Sequence, residues 1–352
     1  MPFERLSESV LTLYAELLEQ SIHAAAEAAV LGITPGSLVR KEIKGKVYWY
    51  LQISENGERR QHYLGADSES LRDWMDKVRE ARSDAAEDEA GRARLCKMLK
   101  SGGAFIHSAT TVRVLELLAN AAVFRRGGVL IGTHAFAVYG NMLGVRLDSA
   151  ALRTQDVDVA QDPVIGIALL ADEEPIDVDN KLSELRFHAV PALDVRRPST
   201  SYKVHGKETR VDFLTPMMGR ESNDPVFLKA YQVAAKPLRM LDYLLAETQQ
   251  AVVVGRRDVL VNVPDPARFA LHKLWTSQVR DAAWRAKAQK DIRQAGQLLE
   301  VLLADNPEDV TAAWEAIGDR PRVVKRVAAA AERLEPSIRE RLAAEGVLLP
   351  GR

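Results

Sequence analysis

Two aspartates, two residues apart inside an apolar strand pattern, constrain this chain more than any other feature. In Arg153-Thr154-Gln155-Asp156-Val157-Asp158-Val159 the alternation predicts a strand. Residues i and i+2 of a strand share a face, so Asp156 and Asp158 present neighbouring carboxylates beside an inward Val157. Two like charges that close do not both ionise cheaply without a cation. A third acid, Asp212, sits in Arg210-Val211-Asp212-Phe213-Leu214 with apolar neighbours on both sides. A carboxylate there is costly to bury unless it is paired or bound to metal. The expectation is that Asp156, Asp158 and Asp212 are both the catalytic acids and the metal ligands, holding Mg²⁺ or Mn²⁺.

A strand running into a helix through Gly132-Thr133 supplies a phosphate side: Leu130-Ile131-Gly132-Thr133. Glycine lets the backbone approach a ligand closely, and the hydroxyl and amides at the helix start can hold a triphosphate. Three acids on adjacent strands beside such a turn suit two-metal phosphoryl or nucleotidyl transfer.

Around this centre the chain divides into three. Residues 1–104 read as an accessory region. It has a helix with Leu6, Val10, Leu13 and Leu17 at helical spacing, ended by Thr34-Pro35-Gly36. A three-stranded antiparallel sheet over 37–65 follows, with turns at Lys44-Gly45-Lys46 and Asn56-Gly57. A long charged helix over 67–100 starts at Asp67/Ser68. Residues 105–262 form the mixed core. They hold a helix at 109–123, strands at 129–131 and about 157–159, a helix at 133–142, and apolar elements at 164–171 and 185–193. Hairpins are expected over 203–214 and 252–263. Residues 263–352 read as a helical domain with helices at 266–279, 283–304, 307–317 and 320–345. The fold class is therefore α+β.

Composition excludes several classes. Lys+Arg is 48 against 49 for Asp+Glu among 352 residues, so no general basic coat binds nucleic acid. No apolar run reaches the ~18 residues of a membrane span. The start, Met-Pro-Phe-Glu-Arg, lacks a signal-peptide pattern, and the single Cys96 forms no internal disulfide, so a cytoplasmic setting is expected.

The order strand, Gly-Thr, helix, Asp-x-Asp, then a later strand Asp resembles the DNA polymerase β-like nucleotidyltransferases. The resemblance implies a polymerase β-like core and transfer of a nucleoside monophosphate from an NTP, with Gly132 and Thr133 at the nucleotide. The 22 residues between Thr133 and Asp156 exceed the spacing of compact members. That spacing, with Arg153 ahead of the acids, is similar to the AbiEii-type abortive-infection toxins. By that likeness Lys273, in Phe269-Ala270-Leu271-His272-Lys273, contacts triphosphate. Asp291 then has a catalytic or nucleotide-orienting role with Lys290 as a helper, and Arg153 grips phosphate or neutralises the acids. A helical Lys or Lys-Asp pair is otherwise a solvated face. The likeness also brings a partner antitoxin into view. A looser resemblance to uncharacterised bacterial nucleotidyltransferase-fold proteins rests on Gly36-Ser37-Leu38, Tyr48-Trp49-Tyr50, Tyr63-Leu64-Gly65 and Gly132-Thr133-His134-Ala135.

Rival signals read more plainly. Asp148, Asp162, Asp177 and Asp179 are rivals for the acidic role; the second pair Asp177-Val178-Asp179 reads mainly as solvated loop, and His134 as a packing or capping residue. The 37–65 segment mixes Arg40, Lys41, Lys44, Lys46, Arg59 and Arg60 with Tyr48, Trp49 and Tyr50. It reads first as a small sheet held by aromatic pairs, and second as a contact for an RNA acceptor. The expected activity is metal-dependent transfer of an NMP to a hydroxyl of RNA (tRNA included), protein or a small molecule. The alternatives are an inactive nucleotide- or partner-binding module on the same fold, and a metal-dependent phosphohydrolase or nuclease using the same acids.

Overall fold

The computed structural model describes residues 3–31, 37–43, 45–55, 58–152, 154–164, 174–191, 194, 196–206 and 208–347. Thr34-Pro35-Gly36, Lys44, Asn56-Gly57, Arg153 and the 165–171 part of one expected element lie outside the described residues.

The chain opens with a short strand β1 (Glu4–Arg5) and helix α1 (Glu8–Leu31). Strands β2 (Ser37–Ile43), β3 (Lys46–Glu55) and β4 (Glu58–Ala66) form the expected antiparallel three-stranded sheet. Helix α2 (Glu69–Ser101) follows. Ser68 caps it by accepting from the Leu71 amide at 3.3 Å, so one otherwise unpaired N–H is satisfied. Asp67 instead receives the Trp49 indole N–H at 2.9 Å and the Arg72 guanidinium at 2.6 Å. Leu6, Val10, Tyr14 and Leu17 meet Leu95, Cys96 and Leu99 of α2 in a small core that also takes Val252 and Val254.

The central unit begins with α3 (Ala109–Asn120), capped by Ser108, and β5 (Val129–Ile131). Helix α4 (Gly132–Met142) starts directly at the end of β5. Next come β6 (Val145–Arg146), which pairs with β1, the single turn α5 (Ser149–Leu152), and β7 (Asp156–Ala160). Then come α6 (Val178–Glu184), β8 (Phe187–Ala189), β9 (Ser201–Val204), β10 (Arg210–Pro216), β11 (Val226–Leu228) and β12 (Val233–Leu238). Strand order is β11-β12-β10-β7-β5, with β9 also on β10 and β8 on β9. β10 runs parallel to β7 and β12, while β5 runs antiparallel to β7, so the sheet is mixed. Val157, Val159, Val211 and Phe213 alternate onto its covered face and are fully buried with Leu130, Phe136 and Tyr139. A turn α7 (Leu241–Leu245) leads to the hairpin β13 (Thr248–Val254) and β14 (Asp258–Pro264).

The helical end comprises α8 (Pro266–Val279), α9 (Arg285–Asp305), α10 (Pro307–Glu315), α11 (Pro321–Ala331) and α12 (Pro336–Ala344). Four of these five open on proline, whose missing N–H costs nothing in a first turn. The single helix expected over 320–345 is therefore two: Pro336 cannot continue α11 and starts α12 instead. Asp177 and Asp179 are not loop: Asp177 caps α6, accepting from the Asn180 amide at 3.0 Å, and Asp179 lies in its first turn. The molecule is α+β, a mixed sheet with helices, as the sequence indicates.

Candidate active site

Sheet register brings the three acids to one face. In the parallel pair β7–β10, Asp158 lies opposite Asp212 and Asp156 opposite Arg210. Asp156 and Asp158 share a face by alternation, so Asp212 joins them as the lateral neighbour of Asp158. On the other side Asp158 is opposite Ile131, the last residue of β5. There the backbone turns into α4 through Gly132, at φ +70°. This is where only glycine serves: the φ is left-handed, and a Cβ built on Gly132 would overlap Asp158 Oδ2.

The electrostatics are those of acids crowded without enough compensation. Burial, with Asp212 and Asp156 adding repulsion, pushes the Asp158 carboxyl up to about 7; Lys273 and Lys287 oppose the shift. The Asp212 carboxyl is also raised, chiefly by burial, with Ser201, Arg210 and Lys236 pulling the other way. Its Oδ1 is buried and has no hydrogen-bond partner. Among the described residues, no three His, Cys, Asp or Glu side chains are disposed to hold a metal ion as they stand. Register therefore unites the acids on one face without closing their oxygens on a point.

The helical end supplies cations from across the site. Lys273, on α8, is buried and donates to Asp291 Oδ1 at 2.9 Å, with its ammonium 5.2 Å from the Phe269 ring centre. Asp291 Oδ2 accepts from Arg280 Nε at 2.5 Å. Burial alone would raise the Asp291 carboxyl, but Lys273 and Arg280 together hold it below the usual range. Asp291 is thus paired with two cations. Lys290, half-buried on the same helix, is lowered to about 8, first by burial and next by Lys273. Thr133 is buried, with its hydroxyl 3.4 Å from Gln294 Nε2, which also donates to the Ala151 carbonyl at 2.8 Å. Lys287, Lys290, Asp291 and Gln294 recur at three- and four-residue steps, so one face of α9 looks onto the acids. The sequence reading named only Lys290 and Asp291 of these. The same helical spacing would have pointed to Lys287 and Gln294, whereas Arg280 carried no such signal.

Other acids are occupied elsewhere: Asp148 pairs with Arg293 at 3.6 Å, and Asp162 accepts from the Val164 amide at 2.8 Å. His134 does not reach the open face. It is buried, its ring centre 5.6 Å from that of His107, and its Nε2 has no partner. Burial holds His134 down at about 3 and His107 at about 4.

A nucleotidyltransferase family matches residues 109–318, and this chain belongs to that family. The match spans the mixed sheet, all three acids and the Lys273–Asp291–Arg280 group. Residues 6–73 match a domain of unknown function, DUF6788. No curated protein and no solved structure matches the chain.

Proposed function

We propose that the protein transfers an NMP from an NTP to a hydroxyl acceptor and releases pyrophosphate, using the carboxylate face of β7 and β10. The observation that carries this reading is the register of Asp212 beside Asp158, next to a glycine turn that leaves no room for a side chain. The donor set fits a divalent cation such as Mg²⁺ or Mn²⁺: hard oxygen ligands, one of them a buried carboxylate oxygen without a partner. Asp156, Asp158 and Asp212 would hold it, and when bound it lowers the pKa of the attacking hydroxyl and stabilises charge at phosphorus.

The chain's own groups do the rest. The amides at the α4 N-terminus and the backbone at Gly132 give the triphosphate a close, positive approach. Lys273, oriented by Asp291, and Lys287 and Lys290 supply charge to phosphate oxygens as pyrophosphate leaves. The arrangement does most of its work by positioning and charge neutralisation. Arg153 is proposed to grip phosphate on the strength of the family likeness, and Gln294 orients the Thr133 hydroxyl. An RNA acceptor, a toxin role like that of the AbiEii-type proteins, a partner antitoxin and a cytoplasmic setting belong to the same proposal. So does the division at 104/105 and 262/263.

The test is incubation of the full chain with each α-labelled NTP, Mg²⁺ and cell extract, followed by RNA and protein gels. Label on one acceptor, lost in Asp156→Ala and Asp158→Ala, is the expected result. NTP binding without pyrophosphate release would favour a binding module, and label only in free NMP a hydrolase.

A further inference from the structure

The three-stranded sheet of the N-terminal region has two unlike faces. Trp49 alternates onto one of them, where its indole N–H bonds Asp67 and the Arg79 guanidinium lies 5.9 Å from its ring centre. Gly65 is opposite Trp49 in register, and a Cβ there would touch the Leu71 side chain of α2 at 3.4 Å. This face is therefore the one α2 covers. On the other face Lys41, Tyr48, Tyr50 and Tyr63 come together: Tyr50 and Tyr63 centre to centre at 5.5 Å, Tyr48 and Tyr63 at 6.2 Å, and the Lys41 ammonium 4.8 Å over Tyr50. Tyr63 is 58% exposed and Ile43, in the same alternation, 46%. Lys46 and Arg59 alternate onto this open side, while Glu42 alternates away. In a chain of net charge −1, the uncovered face carries three cations beside three tyrosines and, among its described side chains, no acid.

We propose that this face binds single-stranded RNA, bases stacking on Tyr50 and Tyr63 while Lys41, Lys46 and Arg59 hold phosphates. Stacking accepts any base, and the cations complement a polyanion. Cross-strand packing accounts for tyrosines meeting one another. It does not account for the cations gathering on the side that no described residue covers. The binding stands on the sheet's own geometry; only its service to the acceptor rests on the nucleotidyl-transfer reading.

The test uses the full chain, without NTP, and a 5′-fluorescein single-stranded RNA followed by anisotropy. Tyr50→Ala and Tyr63→Ala should each weaken binding about tenfold, whereas Tyr63→Phe, which keeps the ring, should bind as the parent does. Lys41→Gln, which removes no ring, should reduce the slope of log affinity against log salt by about 0.7. Absence of binding at low salt, unchanged binding by both Tyr63→Ala and Lys41→Gln, or tighter binding of duplex than of single strand would overturn the proposal. Asp158→Asn should still bind RNA. RNA bound by a parent that transfers no nucleotide removes the proposed reaction and leaves this face standing. Transfer to another acceptor without RNA binding does the reverse.

Discussion

The mixed central sheet and the small three-stranded sheet of the N-terminal region treat charge in opposite ways. In the mixed sheet, acids are placed where burial disfavours their ionised form, and Asp158 is pushed up to about 7. Lys273 of α8 and Lys287 of α9 oppose that shift. In the small sheet, Tyr63 stays exposed beside half-buried Tyr48 and Tyr50, and cations gather on the same side. The lesson is that a sheet face can be specialised by strain, which needs the whole fold to hold it, or by exposure, which needs only alternation.

Several substitutions break or sharpen that contrast. The largest effect belongs to Asp158→Asn, which keeps shape and removes charge: transfer from labelled NTP should fall on the order of 10³-fold with the fold retained by circular dichroism. Gly132→Ala comes next. A side chain at φ +70° overlaps Asp158, so kcat should fall about 10²-fold through misplacement, with about 1–2 kcal/mol of stability lost in urea titration.

The pair formed by His107 and His134 of α4 gives a pH dependence. Folded His107 and His134 resist protons that the unfolded chain accepts near pH 6.5. The unfolded state then binds more protons, so stability is full above pH 6.5 and is lost as pH falls toward 4. The loss should reach roughly 2–3 kcal/mol for His107, and Tm measured from pH 7 to 5 should fall less in His107→Leu than in the parent. The smallest effect is on the other sheet: Tyr63→Ala should cost under about 1 kcal/mol by thermal melting. A larger cost would make Tyr63 a structural residue and blur the contrast.

Much of this was legible because it is local. Alternation around Val157 and Val211, the Gly132 break and the proline-started helix at 266 each depend on a few neighbouring residues. Strands β11 and β12 were not read, since Val226–Leu228 is three residues long and Pro237 interrupts the second pattern. Asp177-Val178-Asp179 was read as loop because a capping aspartate and a solvated one look alike until the helix after it is known. The ion pairs of Asp291 were not legible: its two partners, Lys273 and Arg280, sit on and just after another helix, and no spacing rule links them.

By itself the sequence determined which residues are acids on apolar strands, where the chain must turn, and which side of each strand is apolar, because these follow from covalent geometry and short-range patterning. Tertiary structure alone decided that β10 lies parallel to β7 in the register that seats Asp212 beside Asp158, and that α2 covers one face of the small sheet and not the other. Strand pairing and helix docking are long-range choices. They are settled by the burial of Val157, Val211 and Phe213 in one shared core, which no segment of the chain can accomplish alone.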